Sequence, residues 1–167
     1  MAEQTSRNLL DCTSETYWRC VYDEQFNRRL YLDVLKFRDF KWISLETTDD
    51  LWVRKMYLNP PKSDLPAPIA SLVGDLSWNE EGRLDRRTGK YRLKIETNTM
   101  RDKTSITGEI WCEARGETQC DRFSRTVVDV KVFMVGSMIE KRILDDLKRD
   151  NEKAMRFTND FVREKGW

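Results

Sequence analysis

The feature that most limits how this chain can fold is a long amphipathic segment, residues 136 to about 162, that follows directly on a run of alternating strand patterns. Counting about 100 degrees per residue from Ile139, the side chains of Ile143, Leu144, Leu147, Ala154, Met155, Phe157, Phe161 and Val162 fall on one half of the helical wheel. That half must be covered, and the strands just before it are the elements available to do so. The order predicts an α+β architecture in which a curved antiparallel sheet of six to seven strands wraps around the terminal helix, leaving a cavity between them.

Three polar residues, Glu140, Asn151 and Thr158, interrupt the covered half and lie within roughly 20 degrees of one another. An unpartnered buried polar group costs about 1–3 kcal/mol. Each therefore meets a strand group or water at a wet margin, or the three form a line that faces a ligand. The pattern alone leaves both readings open.

Upstream, residues 7–11 read as a short strand. Thr13-Ser14-Glu15 and then Asp23-Glu24 supply a cap and an acidic first turn for each of two short helices, reaching about residues 21 and 34. Period-two alternation begins at Phe40, turns at Asp49-Asp50 and returns over 51–58. Strand patterns resume over 75–81, 90–99, 105–115 and 118–134, with tips at 82–89, 100–103 and 116–117. Tyr91, Leu93 and Ile95 share one row, and Ile106, Gly108 and Ile110 share another. The last strand's inner row passes from Ser124 and Thr126 to Val128, Val130, Val132 and Met134, a gradient from hydroxyl to apolar that suits an amphiphile. A helix of this length measures about 40 Å, while six strands about 4.8 Å apart span roughly 29 Å, so one helix crosses the whole inner face.

Residues 59–74 carry all four prolines and cannot continue a ladder. Their second half, 67–73, has the makings of a short apolar helix. A loop of this length between strands is a binding lid or a structural plug, and Leu65, Ile69, Leu72 and Val73 are its apolar contacts in either case.

The 167 residues suit one domain, 1–167, able to bury roughly 68–70% of its unfolded surface. Charged residues make up 35%, but 30 Lys+Arg against 29 Asp+Glu leave a net charge of +1. That balance argues against nucleic acid as a partner, and Arg83, Arg86, Arg87 and Lys90 read as a solvated hairpin tip. The first residues lack a secretory pattern and no apolar run is long enough for a membrane span, so a soluble cytoplasmic protein is expected. Transient membrane contact is left to the 59–74 loop.

Histidine is absent, which removes Ser-His and Cys-His nucleophile pairs and histidine-ligated metals. The four cysteines lack metal or redox spacing; no metal or cofactor is expected. A two-residue turn at Gly116-Glu117 would pair Glu113 with Cys120 and send the thiols of Cys112 and Cys120 to opposite faces. Gly82 and Gly89-Lys90 are too far apart for a phosphate loop. The neighbours Asp49-Asp50 and Asp145-Asp146 do not face each other and read as solvated. Most of the six tryptophans read as core; Trp78 is placed on an inner wall and Trp111 outside it.

The run Asp11-Cys12-Thr13-Ser14-Glu15-Thr16-Tyr17-Trp18, the run Phe26-Asn27-Arg28-Arg29-Leu30-Tyr31-Leu32, and Pro60 with Pro66 to Gly74 form part of a wider pattern. Glu81-Gly82-Arg83, Thr88-Gly89, and Lys131-Val132-Phe133-Met134-Val135-Gly136 with Ile139-Glu140 complete it. Over nearly the whole chain it resembles the START-like, helix-grip (SRPBCC) superfamily, and more closely a branch of that superfamily of unknown function. The resemblance implies a cavity for a lipid, sterol or other hydrophobic small molecule, opened by a mobile loop; it carries over no catalytic residue. The expected ligand-facing set is Trp78, Tyr91, Leu93, Ile95, Ile110, Ser124, Thr126, Val128, Glu140, Leu147, Asn151 and Ala154. Two other readings stand beside sequestration or transfer. One is an enzyme of cyclase or hydrolase type using Glu140 or Glu80 as a buried base; the other is a protein-interaction domain with an apolar patch around the loop and Trp167.

Overall fold

In the computed structural model, residues 1–62 and 64–167 are described; Ser63, inside the expected 59–74 loop, lies outside the described residues. The strands are β1 (Ala2–Leu10), β2 (Asp39–Thr47), β3 (Leu51–Asn59), β4 (Trp78–Asp85), β5 (Lys90–Thr97), β6 (Thr104–Arg115) and β7 (Gln119–Val130). The helices are α1 (Ser14–Val21), α2 (Glu24–Arg28) continued by a π-helical stretch (Arg29–Val34), α3 (Ala67–Val73) and α4 (Gly136–Lys165). The strands form one curved antiparallel sheet in the order β1-β7-β6-β5-β4-β3-β2. Each strand from β2 to β7 pairs with its sequence neighbour, whereas β1 pairs with β7. The chain thus leaves one edge of the sheet, crosses through α1 and α2, and begins again at the other edge. α4 lies against β1 and β7 and reaches α1 and the π-helical stretch.

The two short helices start where their caps dictate. Thr13 Oγ1 accepts the Thr16 amide at 3.2 Å and Asp23 Oδ1 accepts the Phe26 amide at 2.7 Å, each satisfying an otherwise orphaned donor. Phe26 of α2 packs on Phe157 and Phe161 of α4, with ring centroids 5.3 and 5.2 Å apart. Trp167 packs edge-on to Phe161, with the Arg19 guanidinium 3.7 Å over its ring, so it belongs to the packed end of α4 and not to an exposed patch. On the outer face Trp111 stacks on its cross-strand neighbour Phe123 at 5.3 Å.

Several boundaries differ from the sequence expectation, among them the start of β4 at Trp78 and the end of β5 at Thr97. β1 begins at Ala2, not at residue 7, because its inward row is Gln4, Ser6 and Asn8; polar residues on both faces hide the period of two. β4 runs through Gly82 to Asp85, so Gly82 is mid-strand. The β6–β7 loop holds three residues, Arg115 pairing with Gln119 and Ala114 with Cys120. That shift of one residue puts Cys112 and Cys120 on the same face, where both meet Cys12; all four cysteines are free thiols. Hydrogen bonding to Cys120 and burial push the Cys12 and Cys112 thiols above their ordinary value.

β7 stops at Val130, four residues short of the expected end, and leaves Phe133 and Met134 91% and 84% exposed. The chain turns into α4 through Met134, in the left-handed region at φ 66°, and through Gly136. A Cβ on Gly136 would sit 2.3 Å from the Val130 carbonyl oxygen, so the turn excludes a side chain there.

Candidate functional site

Between the concave face of the sheet and α4 lies a cavity of about 920 Å³, near the upper end of the 300–1,000 Å³ usual for small-molecule sites. Alternation on β4 to β7 turns one row of side chains into it, and α4 supplies the opposite wall. Trp78, Tyr91, Leu93, Ile95, Ile110, Ser124 and Thr126 from the strands border it, as do Leu147, Asn151 and Ala154 from α4. So do Leu65 and Val73 from the 59–74 segment, together with Pro60 and Pro61, which cover one end.

Four expected residues are placed elsewhere. Val128 belongs to the correct row, but it is fully buried in a cluster with Ile69, Val73, Ile106 and Ile139 and does not border the cavity. Ile69 is consumed in that same cluster, and Leu72 is 40% exposed on the outside of α3. Glu140 does not border the cavity either. It accepts the Val130 amide at 2.9 Å and lies 2.8 Å from the Met1 amine, closing off the end of β7.

The polar line on α4 is therefore satisfied by protein: Glu140 by β7, Asn151 by Arg122 and Asn8, and Thr158 by the Ala154 carbonyl at 2.8 Å. The Met1 amine and the Val130 amide hold the Glu140 carboxyl below the usual glutamate range. A depressed folded-state value stabilises above the unfolded pKa and is lost as pH falls through the folded one. Thermal unfolding followed from neutral pH to below about 4 is expected to show a shallower acid decline in Glu140→Gln than in wild type; parallel curves would contradict this role.

The largest omissions from the sequence reading are two buried arginines. Arg54, on the inward row of β3 with Met56 and Leu58, donates from Nε to Tyr91 Oη at 3.1 Å and from Nη1 to Asn27 Oδ1 at 2.8 Å and to the Val21 carbonyl. Its Nη2 donates to Glu80 Oε1 at 3.0 Å, and this ion pair is buried on both sides. Burial works against the Arg54 cation, but Tyr91 and Glu80 together hold its pKa above the ordinary value. Burial likewise holds the Tyr91 phenol well above its usual range, despite Arg54. Arg122, on the inward row of β7, donates from Nε to Tyr17 Oη at 2.7 Å and from Nη1 to Asn151 Oδ1 at 2.9 Å. In both cases the legible signal is an arginine at an inward-facing strand position, where a lone charge is costly. Gln4 and Ser6 of β1 also border the cavity.

A seven-stranded sheet gripping a long terminal helix around a cavity is the helix-grip fold. The chain belongs to the family described as "Protein of unknown function (DUF2505)", whose model matches residues 6–162. No curated protein sequence matches it. Solved structures share the fold at low identity. TTHA0849 from Thermus thermophilus is 12% identical with a TM-score of 0.71, over 99% of this chain and 100% of that one. The Zhui aromatase/cyclase from Streptomyces sp. R1128 is 10% identical with a TM-score of 0.62, over 99% and 96%. A START superfamily protein from Mycobacterium smegmatis is 11% identical with a TM-score of 0.58, over 92% and 97%.

Proposed function

We propose that this protein, acting as one domain over residues 1–167, binds a hydrophobic small molecule in the cavity between sheet and α4 and sequesters or transfers it. The observation that carries this reading is the cavity itself, because a core that needed only stability would close such a space. Voids forfeit dispersion contacts and cost stability in proportion to their volume. Two buried polar atoms on bordering residues, Trp78 Nε1 and Thr104 Oγ1, have no hydrogen-bond partner among the described residues, and a ligand acceptor would relieve them. Residues 59–62 and 64–74 act as the cover, Leu65 and Val73 facing the ligand and Leu72 being the side chain that meets a membrane during transfer.

Less supports the carboxylate-base reading. Glu140 lies outside the cavity, and Glu80, which borders it, is held by Arg54. The test is mass spectrometry of a solvent extract of the purified protein, paired with titration by the neutral fluorophore N-phenyl-1-naphthylamine. A co-purifying apolar compound and saturable probe binding near one per chain are expected. An empty extract together with no saturable binding would end the proposal.

A further inference from the structure

The chemistry of the bound molecule is written in Arg122, an inference that rests on the ligand-binding reading and narrows it. Arg122 is only 6% exposed, yet it borders the cavity. Its Nε and Nη1 are engaged by Tyr17 and Asn151, and both acceptors are neutral: burial holds the Tyr17 phenol above its ordinary value. Among the described residues, Nη2 has no hydrogen-bond partner and no carboxylate oxygen lies within 4.0 Å of the guanidinium.

The surrounding acids are committed elsewhere. Glu80 answers Arg54, Asp121 answers Arg7, Asp146 answers Arg142 and Arg149, and Asp150 answers Arg149. The engaged nitrogens of Arg122 go to the neutral Tyr17 and Asn151. Among the described residues, Arg122 is thus a buried cation with no carboxylate beside it. An isolated buried charge costs several kcal/mol, and that cost falls when an anion arrives.

The neighbours of Arg122 form a polar corner. Ser6 and Ser124 share a hydrogen bond of 2.7 Å, and Asn151 Nδ2 donates to Asn8 Oδ1 at 2.9 Å, while Ser6, Ser124 and Asn151 all border the cavity. Leu93, Ile95, Ile106, Ile143 and Leu147 supply apolar wall beyond it. The geometry points to a hydrophobic monocarboxylate as the ligand class, its head on Arg122 Nη2 beside Ser6 and Ser124 and its body along the apolar wall. Lys36, Lys62, Lys148 and Lys153 also border the cavity but are exposed. The single buried cation without a carboxylate among the described residues matches a head of one charge, and a phosphate monoester would bring a second into the buried corner without a partner.

The test compares cis-parinaric acid with its methyl ester, titrated by fluorescence into delipidated protein at neutral pH. A charge-assisted hydrogen bond predicts that wild type binds the acid about tenfold to a hundredfold more tightly than the ester. Arg122→Gln is expected to erase that ratio while leaving ester affinity in place, and Arg122→Lys to keep part of it. Equal affinity for acid and ester in wild type, or a preference that survives in Arg122→Gln, overturns the assignment and leaves the cavity's role intact. Failure of both probes to bind overturns the cavity function and the assignment together. Near-UV circular dichroism checks the fold of Arg122→Gln; if it does not fold, Arg122→Met is measured in its place against the same outcomes.

Discussion

Replacing Arg54 by alanine is expected to lower the unfolding free energy by about 3–5 kcal/mol, the usual cost of breaking a buried ion pair from one side. The side chain joins three parts of the molecule: the α1–α2 junction through Val21 and Asn27, β5 through Tyr91, and β4 through Glu80. Its loss strands Glu80, which is only 8% exposed, and leaves the amide of Asn27 with an open acceptor. Urea unfolding measures the effect. The double variant Arg54→Met with Glu80→Leu is expected to recover most of the loss, since it removes both charges and keeps apolar volume. A loss below about 1 kcal/mol in Arg54→Ala would show that the network does not hold α1 and α2 to the sheet.

Gly82→Ala is the second large effect. Elsewhere in a strand interior this exchange would stabilise by roughly 0.5–1 kcal/mol, because glycine loses more freedom on folding. Here an added Cβ would sit 1.8 Å from Tyr91 Oη and 2.3 Å from its ring. Tyr91, fully buried and leaning over Gly82 to reach Arg54, must move, and its hydrogen bond goes with it. Overpacking plus a lost buried partner predicts a net cost of about 2–4 kcal/mol, read as a fall in melting temperature. Because Tyr91 belongs to both perturbations, Arg54→Ala combined with Gly82→Ala is expected to cost less than the sum of the two. Full additivity would place the damage of Gly82→Ala somewhere other than Tyr91.

Much of the fold is legible in the sequence because it rests on local rules. The caps at Thr13 and Asp23, the rows of β5, β6 and β7 and the covered half of α4 each follow from spacing alone, and the structure places them where those spacings require. The misreadings share another origin. β1 is legible only from residue 7 because a strand whose inner row is Gln4, Ser6 and Asn8 has no hydrophobic alternation to detect. The register error at Cys112 and Cys120 comes from one extra loop residue, and a slip of one reverses which face a side chain occupies. Val128 has the parity of a ligand-facing residue, but parity does not reveal how far along the strand the cavity extends.

The candidate site divides along the same line. Its apolar wall follows from periodicity, a property of each element by itself. Its charges do not, because whether Arg54 and Arg122 are buried, and whether a carboxylate stands within reach, depends on residues dozens of positions away. Glu80 meets Arg54, and among the described residues no carboxylate meets Arg122, only once β3 lies beside β4 and β7 lies beneath α4.

The order and spacing of residues were enough to determine a gripping sheet, a terminal helix and the row of side chains between them, since helix and strand periods act over a few residues. The tertiary structure alone decided where the cavity ends, that Glu140 closes a strand instead of facing a ligand, and that among the described residues the buried Arg122 has no carboxylate partner. Charge compensation and volume are sums over neighbours in space, and a linear chain does not state who those neighbours are.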